Sequence, residues 1–136
     1  MARAQPDIAR SLVGTWRLVS LESRASDGEI RYPLGRTPIG QLLYDVGGHI
    51  SAQLMNPDRP KFASGDRLRG SDAEVRAATD GYIAYYGTYT VDMPAAVVTH
   101  HVQGALFPNS IGADELRHFR LDGDRLTITT APAIRR

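Results

Sequence analysis

Few residues in this chain are equipped for chemistry. It holds four histidines and no cysteine, so disulfides, thiolate metal sites and a cysteine nucleophile are excluded. His100 and His101 sit side by side in VVTHHVQG, a pair that invites a metal site. Neighbouring strand residues point to opposite faces, so one ion takes both only across a bulge. His49 and His118 lie on other elements, and no metal is expected. A single imidazole on an apolar face is a general acid or base tunable near neutral pH, or else a hydrogen-bonded structural histidine. Arg117 would bind an anion or a carbonyl, because a guanidinium is not left buried and unpaired. An ion pair with Glu22 or Glu115 meets the same need. Glu22 in a dry pocket would serve as a proton-transfer base; at a strand end it would simply be solvated. There is no G-x-S-x-G elbow, no G-x-x-x-x-G-K-[ST] and no G-x-G-x-x-G, so neither a serine nucleophile nor a phosphate-bearing cofactor is supported.

The elements that must position these groups follow from turns and periodicity. Residues 1–13 read as a short leader, with Asp7 placed to cap a turn or two of helix. GTWRLVSLESR (14–24) reads as a strand and EIRYP (29–33) as a weak extended piece. QLLYD (41–45) and HISAQLM (49–55) flank Gly47-Gly48, the glycine pair of a tight hairpin. Pro57 and Pro60 keep 56–70 out of a sheet interior, and Phe62 is expected to anchor that loop. S-D-A-E at Ser71 is a capping box. Val75, Ala78, Tyr82, Ile83 and Tyr86 follow at helical spacing, which predicts one main helix over 71–86, ended by Gly87. TYTVDM (88–93), AAVVTHHVQGAL (95–106), ELRHFRL (115–121) and RLTITT (125–130) read as strands, the last two joined by Asp122-Gly123-Asp124. About eight strands with short connections predict an all-β fold: a small antiparallel barrel with one main α-helix.

Strand parity then sorts the side chains. Phe119 and Leu121 share a face with Glu115 and Arg117, while His118 and Arg120 share the other. Val98, His100 and Val102 form one face of the long strand, and Thr99, His101 and Gln103 the other. Trp16, His100, Arg117, Phe119 and Ile128 are expected inside, and His101, His118 and Thr127 outside. Trp16 and Leu18 carry Glu22 with them, although Val19 and Leu21 contest that assignment. The two faces of HISAQLM stay undecided. The interior is thus an apolar wall with Glu22, His100 and Arg117 as ionisable members and Tyr44, Gln53, Tyr89 and Phe119 as ligand-contact candidates. The tyrosines Tyr82, Tyr85 and Tyr86 either line a pocket mouth or pack the helix onto the barrel.

Length and composition bound the rest. The chain has 136 residues, one domain's worth. Sixteen Lys+Arg against fifteen Asp+Glu leave a net charge of +1, which argues against a nucleic-acid binder and a polybasic membrane anchor. No apolar run approaches the roughly 18 residues of a membrane span. MARAQPDIARSLVG lacks a signal-peptide core, so a cytoplasmic protein is expected. Self-association into a homo-oligomer is left open.

The segments GTWRLVSLESR, GQLLYDVGGHISAQLMNPDRPKF, GYIAYYGTYTVD, VVTHHVQGALFPNSIG and LRHFRLDGDRLTITT occur in this order. Together they resemble the lipocalin-like domain family of short single-domain bacterial and fungal proteins. QLMNPDRPKF and THHV…LFPN are its specific parts, and the resemblance covers about residues 10–131. It implies a lipocalin-type barrel with an interior pocket, in which Trp16 plugs the closed end as a structural residue. Members of the family continue past L-T-I-T-T into a further strand ending near a Trp and an Arg, whereas this sequence ends in APAIRR. The expectation is either a different closure of the last seam or a shortened chain.

Two functions follow. The first is a barrel that binds a small, mostly apolar molecule in its interior pocket. The second is a cofactor-independent isomerase or cyclase of a small natural-product-like substrate, of the kind known among related barrels in secondary metabolism. It would use His100 with Glu22 or Arg117 by general acid–base catalysis.

Overall fold

The computed structural model describes residues 7–130. The leader's first six residues and the closing segment APAIRR lie outside the described residues, so the question of the last seam does too. The chain divides into two compact units. One comprises the described residues up to Trp16, Leu43–Ser51 and the described residues from Tyr85 onward; the other comprises Arg17–Leu42 and Ala52–Ala84.

The elements in order are helix α1 (Asp7–Leu12), strands β1 (Gly14–Arg17), β2 (Ser23–Arg24), β3 (Ile30–Arg31), β4 (Ile39–Tyr44) and β5 (His49–Met55), and helix α2 (Asp72–Asp80). Strands β6 (Tyr82–Asp92) and β7 (Val97–Ala105), a 3-10 turn (Pro108–Ser110), β8 (Asp114–Asp122) and β9 (Arg125–Thr130) follow among the described residues. Seven strands form one antiparallel sheet in the order β1-β4-β5-β6-β7-β8-β9, and β2 pairs with β3 in a separate ribbon. The all-β expectation, with one main helix, holds.

In the first unit, β6 to β9 form a meander. Tyr89 pairs with His100, His100 with Glu115, Phe119 with Ile128, and Arg117 with Thr130. Phe119 is buried, Glu115 and Arg117 are half-buried, and Leu116, His118 and Arg120 are exposed, as alternation requires. Val98, His100 and Val102 are all buried. The core of this unit also holds Leu12, Tyr44, Ile50, Tyr89 and Val97. Trp16 is half-buried, and its indole Nε1–H donates to the Leu12 carbonyl at 2.8 Å. His101 and Thr127, expected outside, are half-buried. Gly87 allows β7 to approach: a Cβ there would lie 1.9 Å from the His101 carbonyl oxygen. Gln103 has no partner on β6, because the register skips a residue between Tyr86 and Gly87.

In the second unit, helix α2 is shorter than its periodicity predicts. Its start is as read: Ser71 accepts from Glu74 N–H at 3.2 Å, and the Glu74 carboxylate accepts from Ser71 N–H at 2.8 Å. Its end comes at Asp80, not Tyr86. The Gly81 carbonyl accepts from Asn56 N–H at 2.8 Å, which commits the chain to sheet pairing. Arg59 closes the helix by donating to the Ala78 carbonyl at 3.3 Å, with its guanidinium over the Tyr82 ring. Tyr82, Ile83 and Tyr86 therefore belong to a strand. Aromatic and β-branched residues suit a pleated, half-buried surface, and this run continues without a break into TYTVD. Phe62 is half-buried, with its ring packed against Gly70.

The first predicted strand is also cut short. Pairing stops at Arg17 and resumes only at Ser23, with Val19 two-thirds exposed. Parity does not carry across that break. Glu22, expected to point inward with Trp16, is exposed and lies on no strand.

Candidate functional site

One cluster gathers most of the residues singled out in the sequence, and it lies wholly within the first unit. Its centre is His100 on β7, only 1% exposed. Tyr44, at the end of β4, places its Oη 2.6 Å from His100 Nε2. Tyr85, on β6, places its Oη 2.8 Å from His100 Nδ1. Both ring nitrogens are thus engaged by phenols. Tyr89 packs its ring edge-on against Tyr44, with centroids 4.8 Å apart, and its hydroxyl donates to the Asp45 carbonyl at 2.7 Å. On β8, Arg117 is ion-paired with Glu115, and both side chains are about four-fifths buried. Phe119 follows on the same face.

The local reasons are plain. Asp45 closes the β4–β5 turn by accepting from His49 N–H at 2.7 Å, and Gly48 supplies the positive φ of 90°. That turn fixes Tyr44 as the last residue of its strand. Alternation along β7 and β8 brings His100, Arg117 and Phe119 to one side.

Burial governs the electrostatics. It lowers the His100 pKa from 6.5 to about 4, with the Arg117 charge and then His101 acting in the same direction. His100 is therefore a neutral imidazole at pH 7. Burial raises Tyr85 to about 12 even though the Arg117 cation pulls it down. Tyr44 is raised well beyond the ordinary phenol range, again by burial first and then by Tyr85. Tyr89 is raised by burial and by Asp45. Among the described residues, every buried side-chain nitrogen or oxygen has a hydrogen-bond partner.

Of the residues expected at the site, His100, Arg117, Tyr44, Tyr89 and Phe119 come together here. Gln53 belongs to the second unit, where its Oε1 accepts from the Tyr82 hydroxyl at 2.8 Å. Glu22 belongs to that unit too and is exposed. Tyr85 is the residue that sequence reasoning assigned to the wrong element. The signal that could have placed it is the unbroken aromatic and β-branched run after Gly81. His101 is held on the other side by Asp114, at 2.8 Å, and by Thr90. Among the described residues, no three His, Asp or Glu side chains group as metal ligands. A groove lined by Leu43, His49, Ser51, Tyr86 and Gln103 also lies in the first unit; it contains no member of the cluster.

A family model described as a lipocalin-like domain matches residues 13–136. A curated relative is the 4'-hydroxy-3'-methoxypropiophenone carrier protein of Aspergillus oryzae. It is 34% identical over 87 residues, covering 60% of this chain and 78% of that protein. No solved structure matches the chain. With nearly its whole length matched, the chain belongs to the lipocalin-like domain family.

Proposed function

We propose that this protein binds a small, mostly apolar molecule against the face that carries His100, and holds it without converting it. The observation that carries the reading is the Tyr44–His100–Tyr85 cluster with the Arg117–Glu115 pair, set among Val98, Val102 and Phe119. A few converging polar groups on an apolar surface are the usual make-up of a small-molecule site. The likeness to a protein named as a carrier of an aryl ketone supports the same reading, and makes a small aromatic ligand the first choice.

The acid–base alternative, an isomerase or cyclase, has less behind it. An imidazole with a pKa near 4 is a weak base at neutral pH. Glu22 is exposed, and Arg117 is tied to Glu115.

The test is mass spectrometry of small molecules that co-purify with the native protein, followed by incubation of each with fresh protein. A ligand recovered unchanged is the expected result. Stoichiometric conversion to a product would replace the carrier reading with the enzymatic one.

A further inference from the structure

The proton inventory of the cluster assigns one hydroxyl to the ligand. Tyr44 is 1% exposed, and His100 Nε2 is the hydrogen-bond partner of its hydroxyl. If Nε2 carried the ring proton, the Tyr44 O–H would be buried with no acceptor, which leaves its full desolvation cost uncompensated. Tyr44 therefore donates to a bare Nε2. A neutral imidazole carries one proton, so that proton is on Nδ1, donated to the Tyr85 oxygen. The nearby Arg117 guanidinium acts on the same phenol, pulling its pKa down against the rise that burial causes. The Tyr85 oxygen then serves as the acceptor for the His100 Nδ1–H while its own O–H proton is left over. Tyr85 is half-buried, whereas Tyr44 and His100 are sealed.

We propose that Tyr85 and Arg117 form a donor pair for the oxygen of a neutral carbonyl, so that the bound molecule is an aldehyde or ketone rather than a carboxylate. This rests on the small-molecule reading above and deepens it. Arg117 polarises the phenol, which strengthens it as a donor. Glu115 cancels the guanidinium charge, so the pair has no net charge to offer an anion and sets a carboxylate against a ligand's carboxylate. His100 is a positioning residue: its Nδ1–H occupies a Tyr85 lone pair and turns the phenolic proton outward.

Three near-isosteric probes test it by calorimetric titration: para-hydroxyacetophenone, para-ethylphenol and para-hydroxybenzoate. The ketone is expected to bind the native protein about tenfold more tightly than the ethyl compound, the worth of one hydrogen bond, and more tightly than the carboxylate. Tyr85→Phe should remove the preference for the ketone over the ethyl compound. Equal affinity for those two, or tightest binding of the carboxylate, overturns the proposal while the small-molecule reading stands. Failure of all three to bind overturns both. Because Tyr85→Phe also orphans the His100 Nδ1–H and so costs stability, a second measurement uses the native chain alone. Nitrogen-15 NMR of the His100 ring should show Nδ1 protonated and Nε2 bare. A proton on Nε2 would make Tyr44 the spare donor and overturn the assignment.

Discussion

At the scale of single residues, His100 concentrates the chemistry and the pH sensitivity of the fold. Its folded pKa, about 4, lies below the ordinary 6.5, so between these values the unfolded chain binds a proton that the folded chain refuses. Stability is then full above about pH 6.5 and falls as pH drops toward 4. The slope approaches about 1.4 kcal/mol per pH unit. Urea unfolding at pH 7, 6 and 5 should show this slope, and His100→Gln should flatten it while lowering stability at pH 7. An unchanged slope in the variant would place the sensitivity elsewhere. The window is chosen above the range where the depressed carboxyls of Asp45 and Glu74 begin to protonate.

At the scale of elements, the β6–β7 pairing decides whether the cluster exists. Tyr85 and His100 are brought together by that ladder, and its tightest point is Gly87. A methyl group there would sit 1.9 Å from the His101 carbonyl oxygen, with backbone and not a flexible side chain in the way. Gly87→Ala should therefore destabilise the protein by about 3 kcal/mol, the upper end of ordinary overpacking. Gln103→Ala, on the exposed bulge residue opposite, should shift the unfolding midpoint by less than about 0.5 kcal/mol. Equal, small effects from both would mean that the strands separate at this point without loss. Helix α2 shows the complementary case. Its start is set by a local capping box, whereas its end is imposed by Asn56 and Arg59, some 20 residues earlier in the chain.

At the scale of the molecule, the chain presents a nearly neutral balance of charge, and none of its described helices is long and apolar enough to cross a membrane. Among the described residues, the buried side-chain nitrogens and oxygens are already paired within the fold. A ligand should therefore stabilise by mass action, without ordering new structure. At a hundred times its Kd, that amounts to about 2.7 kcal/mol. Thermal unfolding with a saturating ligand should show this gain with an unchanged far-ultraviolet circular dichroism spectrum. A large spectral change on binding would mean that the site forms only with its ligand present.

Features that depend only on neighbours within a few residues were legible before any coordinates. The capping box at Ser71, the glycine turn at Gly48, the hairpin at Asp122–Asp124 and the two faces of β7 and β8 all follow from local hydrogen bonding and the two-residue period of a strand. Those faces were enough to put His100 and Arg117 on the same side and His118 on the other. Tertiary structure decided what depends on partners far along the chain. The run after Gly81 fits a helical period and a strand equally well, and pairing with β7 settles it as strand, which moves Tyr85 from a helix onto the His100 ring. Glu22 was misplaced for the converse reason: alternation predicts a direction only while a strand is paired, and pairing beyond Arg17 is a property of the sheet, not of the residues themselves.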